Sequence, residues 1–178
     1  MPSRLYHDII SQRGRLENLV AKLPGFKGYH EKQARREADR MLREHLTNEM
    51  DKHIRHFDRI QHKLLDGGKG LKYMPRTRQI KSAMQAYRDK VATAVPKYSA
   101  MFASIKIDED ALDRIYAFDE AQFRFILQME TALMKLDAAV AAGEAFEVLL
   151  EEVNNIASDA FEAFDLRDDE ILQVGADI

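Results

Sequence analysis

The chain contains no cysteine, which excludes disulfides and thiolate catalysis and fits a reducing compartment. It has only four prolines and eight glycines among 178 residues. No apolar run approaches the ~20 residues that a membrane-spanning helix requires. The opening stretch MPSRLYHDIISQRGR turns polar too early for a signal peptide. No segment keeps up a two-residue alternation between turn signals, so strands are not expected. These absences together point to a soluble, cytoplasmic, all-α protein. A chain of this size buries around 70% of its unfolded surface as one domain, so neither a disulfide nor a metal is needed to hold it.

What is present is helix-forming. Ala, Leu, Glu, Lys, Arg, Gln and Met fill the stretches between the breakers. A first helix is expected from Ser3 to Lys22, with Leu5, Ile9, Leu16, Leu19 and Val20 on one stripe and Pro24 and Gly25 ending it. A second is expected over about 30–66, striped by Leu42, Leu46, Met50, Phe57, Ile60 and Leu64, roughly 55 Å long at 1.5 Å per residue. A third begins at Pro75 as a first helical residue and stops before Pro96, with a short turn around Lys97 to Ala103. Asp108 caps a fourth, over about 109–142, and a fifth follows Gly143. The expected fold is an elongated antiparallel bundle of four to five helices, two of them long. Residues 1–167 form its single domain and 168–178 a loosely ordered tail. The short loop after Leu23 makes the first two helices antiparallel neighbours. The fourth helix is apolar over more than half its circumference, so it should be the most buried or should meet a partner chain.

Candidate chemistry is concentrated in EHLTNEMDKHIRH, Glu44 to His56. At about 100° per residue, His45, Glu49, His53 and His56 share one side of a helix, and residues on successive turns can reach one ion. A metal site of His45, Glu49 and His53 is one reading. Against it, the chain has no Glu-x-x-His, which a di-iron carboxylate bundle needs, and all six histidines lie before residue 63. The other reading is a polar face, with His53 nearest the core. Asp119, Glu130 and Asp137 edge into the apolar arc of the fourth helix, where a carboxylate most often meets Arg or Lys. No serine, histidine and acid grouping suggests a nucleophile. GGKG at 67–70 lacks both the phosphate-loop pattern and a preceding strand.

Charge is divided sharply along the chain. Residues 1–100 carry 22 Lys and Arg against 11 Asp and Glu, while residues 101–178 carry 5 against 19. Two arrangements follow. Basic helices pack beside acidic ones within the chain, setting helix order more than stability. Alternatively, Lys69, Lys72, Arg76, Arg78 and Lys81 form an anion-binding surface for nucleic acid or lipid headgroups. Tyr73 is the only aromatic in that segment and the pI is about 6.1, both unlike a dedicated nucleic-acid binder. The expectation is a non-enzymatic, cofactor-free scaffold, adaptor or assembly protein that binds a protein partner or itself. An anion-binding module is the alternative, and a metal-binding bundle the second alternative.

Overall fold

The computed structural model describes residues 3–12, 14–68, 70–94 and 107–176. The turn expected around Lys97 to Ala103, Pro96 and the candidate Lys69 lie outside them. The described residues form six helices and no strand: α1 (Arg4–Ile10), α2 (Leu16–Lys22), α3 (Arg35–Asp66), α4 (Gly70–Thr93), α5 (Glu109–Ala142) and α6 (Glu147–Ala176). Among them no helix is long and apolar enough to cross a membrane.

The four long helices make an all-α bundle of two antiparallel hairpins lying side by side. Cross-helix contacts fix the directions. Asp51 and Asp58 of α3 meet Arg88 and Lys81 of α4, so those two run antiparallel. In the other hairpin Arg114 and Lys135 of α5 meet Glu170 and Glu152 of α6. Between hairpins the neighbours run parallel: His45 packs on Phe123 and Lys63 bonds Asp137, while Tyr73 bonds Glu147 and Lys90 bonds Asp165. The α4 and α6 neighbours therefore join the basic half of the chain to the acidic half, as do α3 and α5.

Local chemistry explains both ends of α5. The Asp108 carboxylate accepts a hydrogen bond from the Ala111 N–H at 2.7 Å and starts α5. Gly143 ends it in the left-handed conformation, φ 70°, and the Glu144 N–H reaches back to the Ala139 carbonyl at 2.9 Å, a glycine C-cap. Gly143 is thus a turn between two helices and not a kink within one.

Three expectations are corrected. The helix foreseen over 3–22 is two helices, the first ending at Ile10 and the second starting at Leu16. A Cβ at Gly14 would collide with the backbone of Tyr116 and Ala117, so the chain leaves helical geometry there to lie against α5. Both short helices pack on α5, and α1 also on α6, rather than running along α3. Proline is not the first residue of α4: the helix begins at Gly70 and Pro75 lies inside it, because Gly70 fits against the Leu64–Leu65 backbone at the end of α3. The expected loose tail is helical as far as Ala176, held by the buried Glu170 and Ile171.

The core is a continuous apolar cluster running from Leu19 and Phe26 through Leu42, Phe57, Tyr87 and Leu133 to Phe164. Charge is embedded in one end of it. Arg167 is 1% exposed. Its guanidinium donates to the Asp119 carboxylate at 2.6 Å and to that of Asp39 at 2.8 Å. It also donates to the Tyr29 hydroxyl at 3.1 Å, and that hydroxyl donates to Asp119 at 2.6 Å. Arg43 bonds the other oxygen of Asp39 at 2.9 Å, and Arg35 donates to the Tyr29 carbonyl at 2.7 Å. Burial pushes the Asp119 carboxyl upward while Arg167 and Tyr29 pull it back. Truncating Arg167 would leave two carboxylates buried without their shared cation. Arg167→Ala is expected to destabilise the fold by about 3–5 kcal/mol in urea unfolding; a loss under ~1 kcal/mol would contradict this.

Candidate functional site

The histidine-rich turn of α3 faces α5. His53 is 6% exposed. Its ring hydrogen-bonds the backbone of Ile126, and its Nε2 has no hydrogen-bond partner among the described residues. His45 lies half-buried with its ring centroid 5.1 Å from that of Phe123. Glu49 accepts from Lys52 at 2.6 Å, and His56 Nε2 meets Asp137 at 3.2 Å. Burial rises towards His53, with its neighbours flanking it. Among the described residues no three His, Asp or Glu side chains converge on a position for a metal ion; in particular His45, Glu49 and His53 are not brought together as a ligand set. What the arrangement does electrostatically is disfavour the charged imidazole. Burial depresses the proton affinity of both His45 and His53 against the pull of nearby carboxylates, Glu49 beside His45 and Glu130 and Glu49 beside His53.

The basic segment is dispersed by the helix that carries it. Arg76 turns towards α6 and bonds Glu151, with a further bond to Gln79 at 2.8 Å. Lys81 turns towards α3 and bonds Asp58 at 2.7 Å. Lys72 is exposed with its ammonium over the Tyr73 ring, 5.4 Å from the centroid. Arg78 is exposed, and no ion pair engages it among the described residues. The four described bases of this segment thus do not share one face. The suspected acids divide similarly: Asp119 pairs with Arg167, Asp137 with Lys63 and His56, and Glu130 is exposed.

One surface stands apart from these paired groups. Along the outward side of α5, Leu127 is 55% and Met134 61% exposed. Thr131 lies between them, and Ala138 and Ala141 continue the row, all exposed. The spacing of three and four residues places all five on one helical face. The face adjoins a groove between α5 and α6 lined by Leu127, Gln128, Thr131, Lys135, Glu152 and Ile156, with about 430 Å³ of open space. The sequence reading counted α5 as apolar over most of its circumference but did not single out Leu127 and Met134. Their seven-residue spacing, offset from the core stripe of Met129, Leu133 and Leu136, is the signal that could have found them. It likewise missed Tyr29 and Asp39 as partners of Arg167, although that arginine is the only base among ten acids between Glu144 and Glu170.

Compared with protein-family models, curated proteins and solved structures, the chain matches none. Its own geometry is therefore the guide to function.

The imidazoles carry a pH dependence. Each is harder to protonate folded than unfolded, where the ordinary value is 6.5. The unfolded chain therefore binds more protons below that pH, and stability is full above it and declines as pH falls from there towards the lower folded values. The melting temperature is expected to fall between about pH 7 and pH 5. His53→Leu should flatten the slope, with His45 supplying what remains. A slope unchanged by His53→Leu would remove His53 from this account.

Proposed function

We propose that the chain is a non-enzymatic helical interaction protein, an adaptor or assembly component, working in the cytoplasm. The outward face of α5, with its adjoining groove, receives a protein partner. The observation that carries this is the exposed row of Leu127, Thr131, Met134, Ala138 and Ala141, an apolar stripe on a helix whose opposite side already builds the core. Single exposed apolar residues need no explanation, whereas a row in helical register is what a docking helix or bundle buries.

The charged groups support the same reading by being occupied. Arg76 and Lys81, which would serve an anion site, are drawn onto Glu151 and Asp58, which leaves Lys72 and Arg78 as its outward bases among the described residues. Nucleic acid or lipid headgroups are the alternative partners, and their binding would weaken steeply with salt. The metal-binding alternative would need Glu49 to leave Lys52 and turn to His53.

The test is retention of a partner from native lysate on immobilised full-length chain, washed at low and then high salt. A stoichiometric protein that survives high salt is expected, and it should be lost in Leu127→Glu/Met134→Glu. Both residues are more than half exposed, so that variant should keep its melting temperature within the few degrees that surface changes of about 0.5 kcal/mol produce. Nucleic acid or lipid released by salt, with no protein, would contradict the proposal.

A further inference from the structure

The groove between α5 and α6 is used twice along its length, and only one half is filled. In the filled half lies α1. Its Ile9 is buried among Ala117, Phe118, Ala121 and Ala163, with Leu5, Tyr6 and Ile10 packed beside it. A basic–acidic pair crosses this half, Arg114 to Glu170 at 2.5 Å, and Glu170 also accepts a hydrogen bond from the Tyr6 hydroxyl at 2.9 Å. An amphipathic helix thus docks here by inserting apolar residues and donating one hydrogen bond to the acid on the α6 rim.

The other half repeats this construction without an occupant among the described residues. Lys135 faces Glu152 across the groove at 3.9 Å, in the relation Arg114 has to Glu170. Along the groove from that pair lie Leu127, Thr131 and Ile156, lining about 430 Å³ of open space. The α6 rim is acidic beyond Glu152. Asp159 and Glu162 have no cationic partner among the described residues, and Glu162 adds to the burial that raises the Asp159 carboxyl. On the α5 side the bases along this stretch are Arg124, half-buried beside Glu120, and Lys135, already turned to Glu152.

We propose that this open half of the α5–α6 groove binds an amphipathic helix of a partner protein, seated as α1 is seated in the other half. Its apolar residues at i, i+4 and i+7 rest on Leu127, Thr131 and Ile156, and Lys or Arg on one flank meets Glu152 and Asp159. The inference rests on the interaction reading above and narrows its partner to a basic amphipathic helix. Two observations support it: the surface continues one that already holds a helix, and its acids on the α6 rim outnumber its bases.

The test is selection from a phage-displayed library of helical peptides about sixteen residues long, roughly 24 Å, on the full chain, with the Leu127→Glu chain as counter-target. The expected winners carry apolar residues at i, i+4 and i+7 with Lys or Arg flanking them. As synthetic peptides they should shift the amide resonances of residues 127–135 and 152–159. They should bind Leu127→Glu, and separately Glu152→Lys, more than about tenfold more weakly, about 1.4 kcal/mol. No enrichment over the counter-target, acidic-flanked winners, or shifts centred on α3 and α4 would each overturn the proposal. So would a concentration-dependent dimer that blocks the groove, since the occupant would then be a second copy. If the selection fails while a lysate protein is still retained through Leu127 and Met134, only the basic-helix occupant is lost. If both fail, the interaction reading falls with it.

Discussion

Arg167 carries its charge into the buried end of the core, where an unpaired guanidinium would be prohibitively costly. It is tolerated because three partners from three other parts of the chain meet it: Tyr29 from the loop after α2, Asp39 from α3 and Asp119 from α5. Each of those is in turn fixed by something else. The Tyr29 N–H donates to the Tyr116 hydroxyl at 3.0 Å and the two rings stack 5.5 Å apart. Arg43 ties Asp39 to the end of α4 through the Ala94 carbonyl at 3.0 Å. A buried ion pair adds little net stability over a well-packed apolar substitute. Its consequence here is alignment, because sliding any one of these segments would strand a charge in the core.

That alignment reaches the surface. Setting α6 against α5 at Arg167 and Asp119 also sets Glu170 opposite Arg114 and Glu152 opposite Lys135. The groove in which α1 lies, and its open continuation, are consequences of the same register. The division of charge along the chain has the same internal use: α4 meets α6 through Arg76 with Glu151 and Lys90 with Asp165, and α3 meets α5 through Lys63 with Asp137. Parallel neighbours have no short turn to dictate their pairing, so complementary charge helps to select it. The outward row on α5, with Leu127 and Met134 more than half exposed, takes no part in this internal pairing.

Elements whose signals are local were legible in the sequence. The bounds of α5 follow from a capping aspartate and a glycine that accepts positive φ, and the core stripe of α3 follows from its three- and four-residue spacing. The burial order of the histidine face was also readable, since His53 falls nearest that stripe. What depended on distant chain was not. Gly14 reads as a tolerable glycine within a helix until the backbone of Tyr116 and Ala117 is placed against it. Pro75 reads as a helix start until Gly70 is seen against the end of α3. Arg167 was visible as a lone base among acids, but Tyr29, Asp39 and Asp119 are far from it in sequence, and no periodicity links them. The outward face of α5 was hidden for the opposite reason: apolar residues cover so much of this helix that a row facing away from the core does not stand out until the core is placed.

The Arg167 cluster should join the loop after α2, α3, α5 and α6 into one cooperative unit, which native-state hydrogen exchange on the unmodified chain would reveal. The amides of residues 39–43, 116–122 and 163–168 should exchange only through global unfolding, with one shared free energy and one shared denaturant dependence. The Tyr29 amide, bonded to Tyr116, should exchange with them. If Tyr29 and the start of α3 instead open at much lower free energy while α5 and α6 stay closed, the cluster does not bind these segments together and the account is wrong.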